Sequence, residues 1–264
     1  MIKLKLDDST EFRKLIETVS NITKENKFVF EKDSLVILGN DPTKSSGFVM
    51  KIHKGFFTKY EAEGSIILNV SDFANLLKLS KPTEKIDIYT TKNDARINLD
   101  IHSKTLKAFV LPLLADFNEP DITESKVADL NPENILGMEL SVYNEAIKLL
   151  KSAISDNDSI FIKNESGVLS MYKETESGKS AKVEIGKSNI KKDIICKFNQ
   201  RFMEKLDLLS STTKDFELGL QQDFPIKNTI VVKNKFTLHY FIAPIVDIST
   251  DAKKKEDLKV EISG

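Results

Sequence analysis

An internal repeat constrains the fold more than any other feature of this sequence. "FRKLIETV" opens at Phe12, and "YNEAIKLL" opens at Tyr143, 131 positions later. Both place apolar residues at i, i+3, i+4 and i+7: Phe12, Leu15, Ile16 and Val19 in one, Tyr143, Ala146, Ile147 and Leu150 in the other. That spacing predicts two amphipathic helices. Two alternating stretches follow, "KFVFEKDSLVI" and "SIFIKNESGVL", with Phe30 and Ile162 132 positions apart. A second helix pair, "SDFANLLKL" and "QRFMEKLDL", aligns Phe73 with Phe202 and Leu77 with Leu206, both at 129. Last, "FVLPLL" at Phe109 overlies "FIAPIV" at Phe241 at 132, with Pro112 above Pro244. Blocks recurring in one order at a nearly constant offset predict a duplicated domain.

Each half reads strand, helix, several strands, helix, several strands. Period-two alternation marks the strands in "FVMKIHK", "KIDIYTT", "ARINLDIH", "SAKVEIG", "TIVVKNK" and "TLHYFIAP". "VFEKDSLVI" and "IKNESGVLS" read as hairpins, and "NDPTK" as a turn. The expected class is α+β: two similar domains, each with two helices packed on antiparallel sheets. The domains are placed at residues 1–115 and 135–250, with a connector at 116–134 and a charged tail at 251–264. The connector carries Asp116, Glu119, Asp121, Glu124, Asp129 and Glu133 against Lys126, and holds Pro120 and Pro132. Such a segment is expected to stay solvated and extended.

Residues able to do chemistry are scarce. His53, His102 and His239 stand far apart in alternating strands, none at metal-ligand spacing. Cys196 in "DIICKF" reads as a small buried strand residue, and a single cysteine excludes a disulfide within the chain. No Gly-rich phosphate loop is present. The sequence gives no support for catalysis, and no cofactor or metal is expected. No apolar run reaches the roughly 18 residues that span a bilayer. "MIKLKLDDSTEF" lacks an apolar leader, so an intracellular protein without a membrane partner is expected.

The net charge is −1, from 39 bases and 40 acids. A balanced total can conceal segregation, so the polar faces of the helices matter more than the sum. Opposite the apolar stripes lie Arg13 and Lys14, with Lys24 beyond; Lys78, with Lys81 beyond; and Lys148, with Lys151 at the edge. Lysines on a helix face suit sequence-independent, salt-sensitive contact with phosphates. They equally suit a plain solvated face, and Glu204 and Asp207 stand where the fourth helix would need bases.

The ordered set "EFRKLIETVSNI", "LVILGNDPTK", "AFVLPLLADFNEPDI", "DFELGL" and "LHYFIAPIV" resembles the sliding clamps of the proliferating cell nuclear antigen family, from Ile2 to about Val246. The resemblance implies a trimeric ring, a homotrimer in its simplest form, whose helices line a hole threaded by duplex DNA. It implies no catalysis. The ring would tether DNA polymerase, ligase and flap nuclease through short hydrophobic-aromatic peptides, and a separate loader would open it. The setting implied is the cytoplasm of an archaeon, at the nucleoid, or a eukaryotic nucleus. The resemblance places the subunit interface on two strands, through Lys107, Phe109 and Val110 and through Lys182, Val183, Glu184 and Ile185, with Lys107 and Glu184 adding opposite charge. It places a partner-peptide pocket at Asn40, Phe117, Ile122, Pro225, Phe241, Ile242, Ala243 and Pro244. Asn40 stands where the family usually has Met, which makes the pocket more polar. Three alternatives stay open: a subunit of a heterotrimeric or checkpoint-type clamp, an intracellular enzyme with a cleft between the duplicated halves, and a structural adaptor.

Overall fold

The structure is a computed structural model and describes residues 1–91, 95–115, 122–156 and 158–246. The first half runs β1 (Lys3–Leu6), α1 (Thr10–Ile22), β2 (Glu25–Phe30), β3 (Ser34–Asn40), β4 (Ser46–His53), β5 (Lys59–Glu61), β6 (Gly64–Asn69), α2 (Val70–Leu77), β7 (Lys85–Tyr89), β8 (Arg96–His102) and β9 (Leu106–Pro112). A short helix α3 (Glu124–Asp129) lies in the connector. The second half runs β10 (Asn134–Glu139), α4 (Leu140–Ala153), β11 (Ser159–Glu165), β12 (Val168–Glu174), β13 (Ser180–Lys187), β14 (Ile194–Asn199), α5 (Gln200–Met203), β15 (Asp215–Leu220), β16 (Ile226–Val232) and β17 (Phe236–Ile242). Apart from β5, the two halves match element for element, as the repeat predicts.

Local chemistry sets the joints. The side chain of Asn69 accepts from the N–H groups of Ser71 and Asp72 and caps α2; Asn199 accepts from Arg201 N–H and caps α5. Ser166 and Gly167 both have positive φ, the signature of the tight hairpin turn whose twist matches its strands. The α5 turn continues as a 3-10 helix over Glu204–Ser211, where a regular amphipathic helix is expected from the repeat. Met203, Leu206 and Leu209 are all fully buried. With Phe202, which is also buried, they form an i, i+1, i+4, i+7 set that an α-helix would bury as well, so the apolar spacing does not by itself select the 3-10 form.

All strand pairing is antiparallel. One sheet has the order β5-β1-β7-β8-β9, and another β13-β12-β11-β14. The third, of eight strands, runs β10-β15-β16-β17-β4-β3-β2-β6 and crosses from one half to the other where β17 pairs with β4. The helices pack side by side on the inner faces. α2 lies on α1, α1 on the 3-10 helix of the second half, and that helix on α4. One apolar core runs beneath this layer through both halves, with Phe12 edge-on to Phe57 and Phe73, and Tyr143 against Phe216.

Candidate functional site

Three kinds of surface bear on function: the edge strands β9 and β13, the helix layer, and the outer face beneath the connector.

The edges come from the repeat. By element order β9 corresponds to β17 and β13 to β4. β17 and β4 pair with each other across the middle of the chain, whereas β9 and β13 each end a sheet with one side unpaired. On β9, Lys107, Phe109 and Leu111 are half-buried toward the core, and Leu106, Ala108, Val110 and Pro112 are exposed on the outer face. On β13, Ala181, Val183 and Ile185 turn toward the core, and Lys182 and Glu184 point outward. Lys107 and Glu184 therefore project from opposite sheet faces and cannot pair across a continuous sheet, contrary to expectation. The period of two decides this. It also corrects the overlay of Pro112 on Pro244: Phe109 faces the helices, whereas Phe241 faces outward. At offset 132 the strands align but their faces do not.

Two apolar side chains that the sequence reading left unassigned belong to the same edges. Leu149 on α4 is 51% exposed, and Leu79, just past α2, is 49% exposed. At the repeat's offset of 131, Leu149 takes the place of Thr18, which is fully buried in α1. At 129, Leu79 takes the place of Leu208. The signal lies in the sequence: Leu149 stands seven residues after Val142, 37% exposed, on the side of α4 away from its buried stripe, and Leu79 follows α2 between Lys78 and Ser80.

The helix layer holds the seven expected cations, but most are engaged. Lys78 Nζ lies 2.9 Å from Glu17, Lys148 Nζ 2.7 Å from Asp207 and Lys151 Nζ 2.7 Å from Glu204. Lys14 Nζ donates to Ser211 Oγ at 2.8 Å, and Arg13 donates to the Ser80 carbonyl. Lys24 and Lys81 are exposed and form no ion pair with another described residue. The acids of the fourth helix thus sit beside the α4 lysines and temper the charge of the whole face. Where α5 starts, a cleft of about 400 Å³ is lined by Asn21, Lys151, Asp158, Gln200, Arg201, Glu204 and Lys205.

On the outer face, β3, β4, β17, β16 and β15 bring Asn40, Gly47, Phe241, Lys227 and Gly219 into one cross-strand row. The connector lies along that row. A methyl group added at Gly47 would stand 3.0 Å from Ile122 Cδ1, and one at Gly219 would stand 2.4 Å from Pro132 Cγ. Both glycines are what let the connector approach so closely. Val127 is buried among Val36, Val49 and Phe241, with Ile122 and Leu130 packed beside it. Lys227 Nζ donates to the carbonyls of Val127 at 3.3 Å and Leu130 at 2.9 Å, so it ties down the C-terminal end of α3, and burial lowers its pKa. Thr123 Oγ1 accepts from Lys126 N–H and caps the helix. The expectation of an extended connector therefore fails between Glu124 and Asp129, where a cap, an apolar side chain and a lysine anchor hold a helical turn.

The expected pocket residues divide. Phe241 and Ile122 meet at this groove, and Asn40 stands at its end with Oδ1 buried and no hydrogen-bond partner among the described residues. Ala243, exposed, donates its N–H to Ser45 O at 2.8 Å; Pro244 and Pro225 are half-buried. Ile242 is fully buried in the main core, on the face opposite Phe241, so strand alternation removes it from the pocket. Phe117 lies outside the described residues, as does the tail at 251–264.

The remaining reactive side chains are held structurally. Burial pushes the Cys196 thiol up to about 11. His102 lies 3.4 Å from Asp87, which also pairs with Lys5. His239 shares a hydrogen bond with Thr229 Oγ1 at 3.1 Å, and burial first, then Lys227, lowers its pKa. Lys173 is buried, donating to Ile154 O at 2.8 Å and Gln200 Oε1 at 2.6 Å.

No protein-family model matches the chain. A DNA polymerase sliding clamp of Methanothrix thermoacetophila is 23% identical over 261 residues, spanning 94% of this chain and 99% of its own. Among solved structures, the proliferating cell nuclear antigen of Entamoeba histolytica superposes with a TM-score of 0.79 at 15% identity, covering 93% of this chain and 99% of that one. A chain of the PCNA2–PCNA3 complex of Sulfolobus tokodaii gives 0.77 at 18% identity, covering 92% and 98%. The fold is the one those proteins share.

Proposed function

We infer that this chain is a DNA sliding clamp of the proliferating cell nuclear antigen family, a processivity factor for DNA polymerase. One observation carries the reading. The chain contains one copy of a strand junction, β17 on β4, and leaves the corresponding strands β9 and β13 free at its two ends. If β9 of one chain pairs with β13 of the next as β17 pairs with β4, the contact is head-to-tail, the kind that forms a ring when the rotation between chains closes. Pairing also removes two exposed edges. Phe109 and Val183 then face the same side at the junction, and Leu149 of α4 meets the Leu79 end of α2.

Such a ring turns the helix layer to the hole. Duplex DNA threads it, held by loose phosphate contacts from Arg13, Lys14, Lys78 and Lys148, with Lys24, Lys81 and Lys151 further out. The ion pairs on this face weaken each contact, which suits sliding. The role is scaffolding rather than catalysis, and the setting is intracellular, wherever the chromosome is copied. Polymerase and other replication or repair enzymes dock by short peptides in the groove floored by Phe241, in the helix-in-groove mode.

A ring of non-identical chains is the second reading. The outward row of β9 is apolar, whereas that of β13 presents Lys182 and Glu184. The two rows are poor complements for identical chains. Light scattering on the pure chain, with and without circular DNA, tests both readings. A closed trimer that stays on circular DNA supports the first. A monomer that closes only with a second clamp chain supports the second. A monomer that neither closes nor stimulates polymerase processivity overturns both.

A further inference from the structure

We propose that α3 is a displaceable strap: the chain's own connector fills the peptide groove with Ile122 and Val127, and a docking peptide must lift it out. This rests on the groove reading above and extends it to regulation.

The groove is occupied rather than open. Phe241 and Val49, which form its floor, keep 5% and 4% of their surface because Val127 and Ile122 cover them. Gly47 lacks a side chain, and Ile122 Cδ1 takes that space. One cavity beside α3, lined by Val49, Lys51, Glu124, Val127, Lys227, Thr237 and His239, measures about 210 Å³. Sites for drug-sized ligands take roughly 300–1,000 Å³. A helical turn carrying aromatic side chains therefore does not fit while α3 is seated. The strap also has the form of its competitor, since it is one short helical turn presenting aliphatic side chains to the same floor.

The attachment is built to release. Six residues are too few for a helix to hold itself in water. The polar tethers to the sheet are readily replaced by water: Lys227 to two carbonyls, and Lys51 at 3.5 Å from Glu124, half-exposed. Thr123 to Lys126 all face solvent. At the end of the groove, Asn40 Oδ1 is buried with no hydrogen-bond partner among the described residues, an acceptor that an incoming amide can use.

The test is calorimetric titration of the full chain with a synthetic Gln-x-x-aliphatic-x-x-Phe-Phe peptide, together with amide hydrogen exchange. Val127→Asp and Lys227→Met each unseat α3 and should tighten binding, by up to about tenfold if the strap is open about a tenth of the time in the wild type. Equal or weaker binding by both variants overturns the strap, because α3 would then be a wall of the pocket. In the free wild-type chain, amides of 124–130 should exchange at least about tenfold faster than those of β4 and β17 beneath them. Equal protection overturns the proposal without any peptide. On peptide binding, exchange in 124–130 should rise; a fall has α3 clamped beside the peptide and also overturns it. Phe241→Ala tests the groove separately: wild-type affinity in that variant removes the groove reading itself, whereas failure of the Val127 and Lys227 arms alone removes only the strap.

Discussion

Leu149→Ala isolates the ring junction from the fold. Leu149 is 51% exposed, so about half of its side chain is still to be buried. Full burial of a leucine is worth roughly 1.5–3 kcal/mol, so completing the second half contributes about 1 kcal/mol at one junction. The proposed homotrimer would have three identical junctions, and the variant would lose all of them at once, about 3 kcal/mol in total. At 1.4 kcal/mol per factor of ten, the assembly constant falls by about two orders of magnitude. The monomer should be unharmed, because alanine is at least as good a helix former as leucine at a solvent-facing position. The assay is a dilution series followed by light scattering, with thermal unfolding of the monomer as the control. Leu149→Thr, which installs the residue that α1 carries at Thr18, should weaken assembly similarly. A dissociation curve that coincides with the wild type would refute the mapping of α4 onto α1 at the chain boundary, and with it the way the ring is assembled here.

Three further outcomes follow from the other surfaces. Replacing Lys14, Lys78 and Lys148 together by Ala should lower the slope of log affinity against log salt by about 2 to 3 without changing trimer mass, read from DNA association at several salt concentrations. Asp207→Asn frees Lys148, 2.7 Å away, and should tighten DNA association about two- to fivefold at low salt, an advantage that vanishes at high salt. For His239 the folded-state pKa is lowered, so neutral imidazole is favoured in the fold and its contribution is complete above the unfolded value near 6.5. Stability should fall as the pH drops through and below that value, and the thermal unfolding midpoint of His239→Gln should lack this component.

The architecture was open to the sequence because it rests on periodicity. Helix spacing at Phe12 and Tyr143, strand alternation and a constant offset are one-dimensional signals of burial, and the observed element order follows them. What stayed hidden depended on parity or on local competition. Overlaying Pro112 on Pro244 matched residue types but shifted the strands by an odd number, which reversed their faces and placed Ile242 in the wrong environment. The pairing of Lys107 with Glu184 failed for the same reason. The 3-10 form of Glu204–Ser211 left no mark in the apolar spacing, because Phe202, Met203, Leu206 and Leu209 also fit an α-helical stripe. The connector was the hardest case. Its acids and prolines argue for an extended chain, and only the glycines facing it, Gly47 and Gly219, distant in sequence, show that something packs there.

The position of the connector also separates two junctions that the repeat makes equivalent. Its row from Asn40 to Gly219 spans the seam between β4 and β17, so Ile122, Val127 and Pro132 cross the line where the two halves meet. That seam is covered by a covalent segment as well as paired by strands. In the proposed ring the corresponding seam between chains, β9 on β13, is crossed by no described part of the connector and draws on strand pairing and on Leu79 and Leu149. Seating α3 therefore stiffens the chain's own middle and leaves the boundary between chains as the weaker line. If the proposed ring opens to admit circular DNA, the break is expected at the boundary between chains, which no described connector segment covers. A peptide that lifts α3 changes the cover of the inner seam only, so docking of an enzyme and opening of the ring act on different joints of the same repeat.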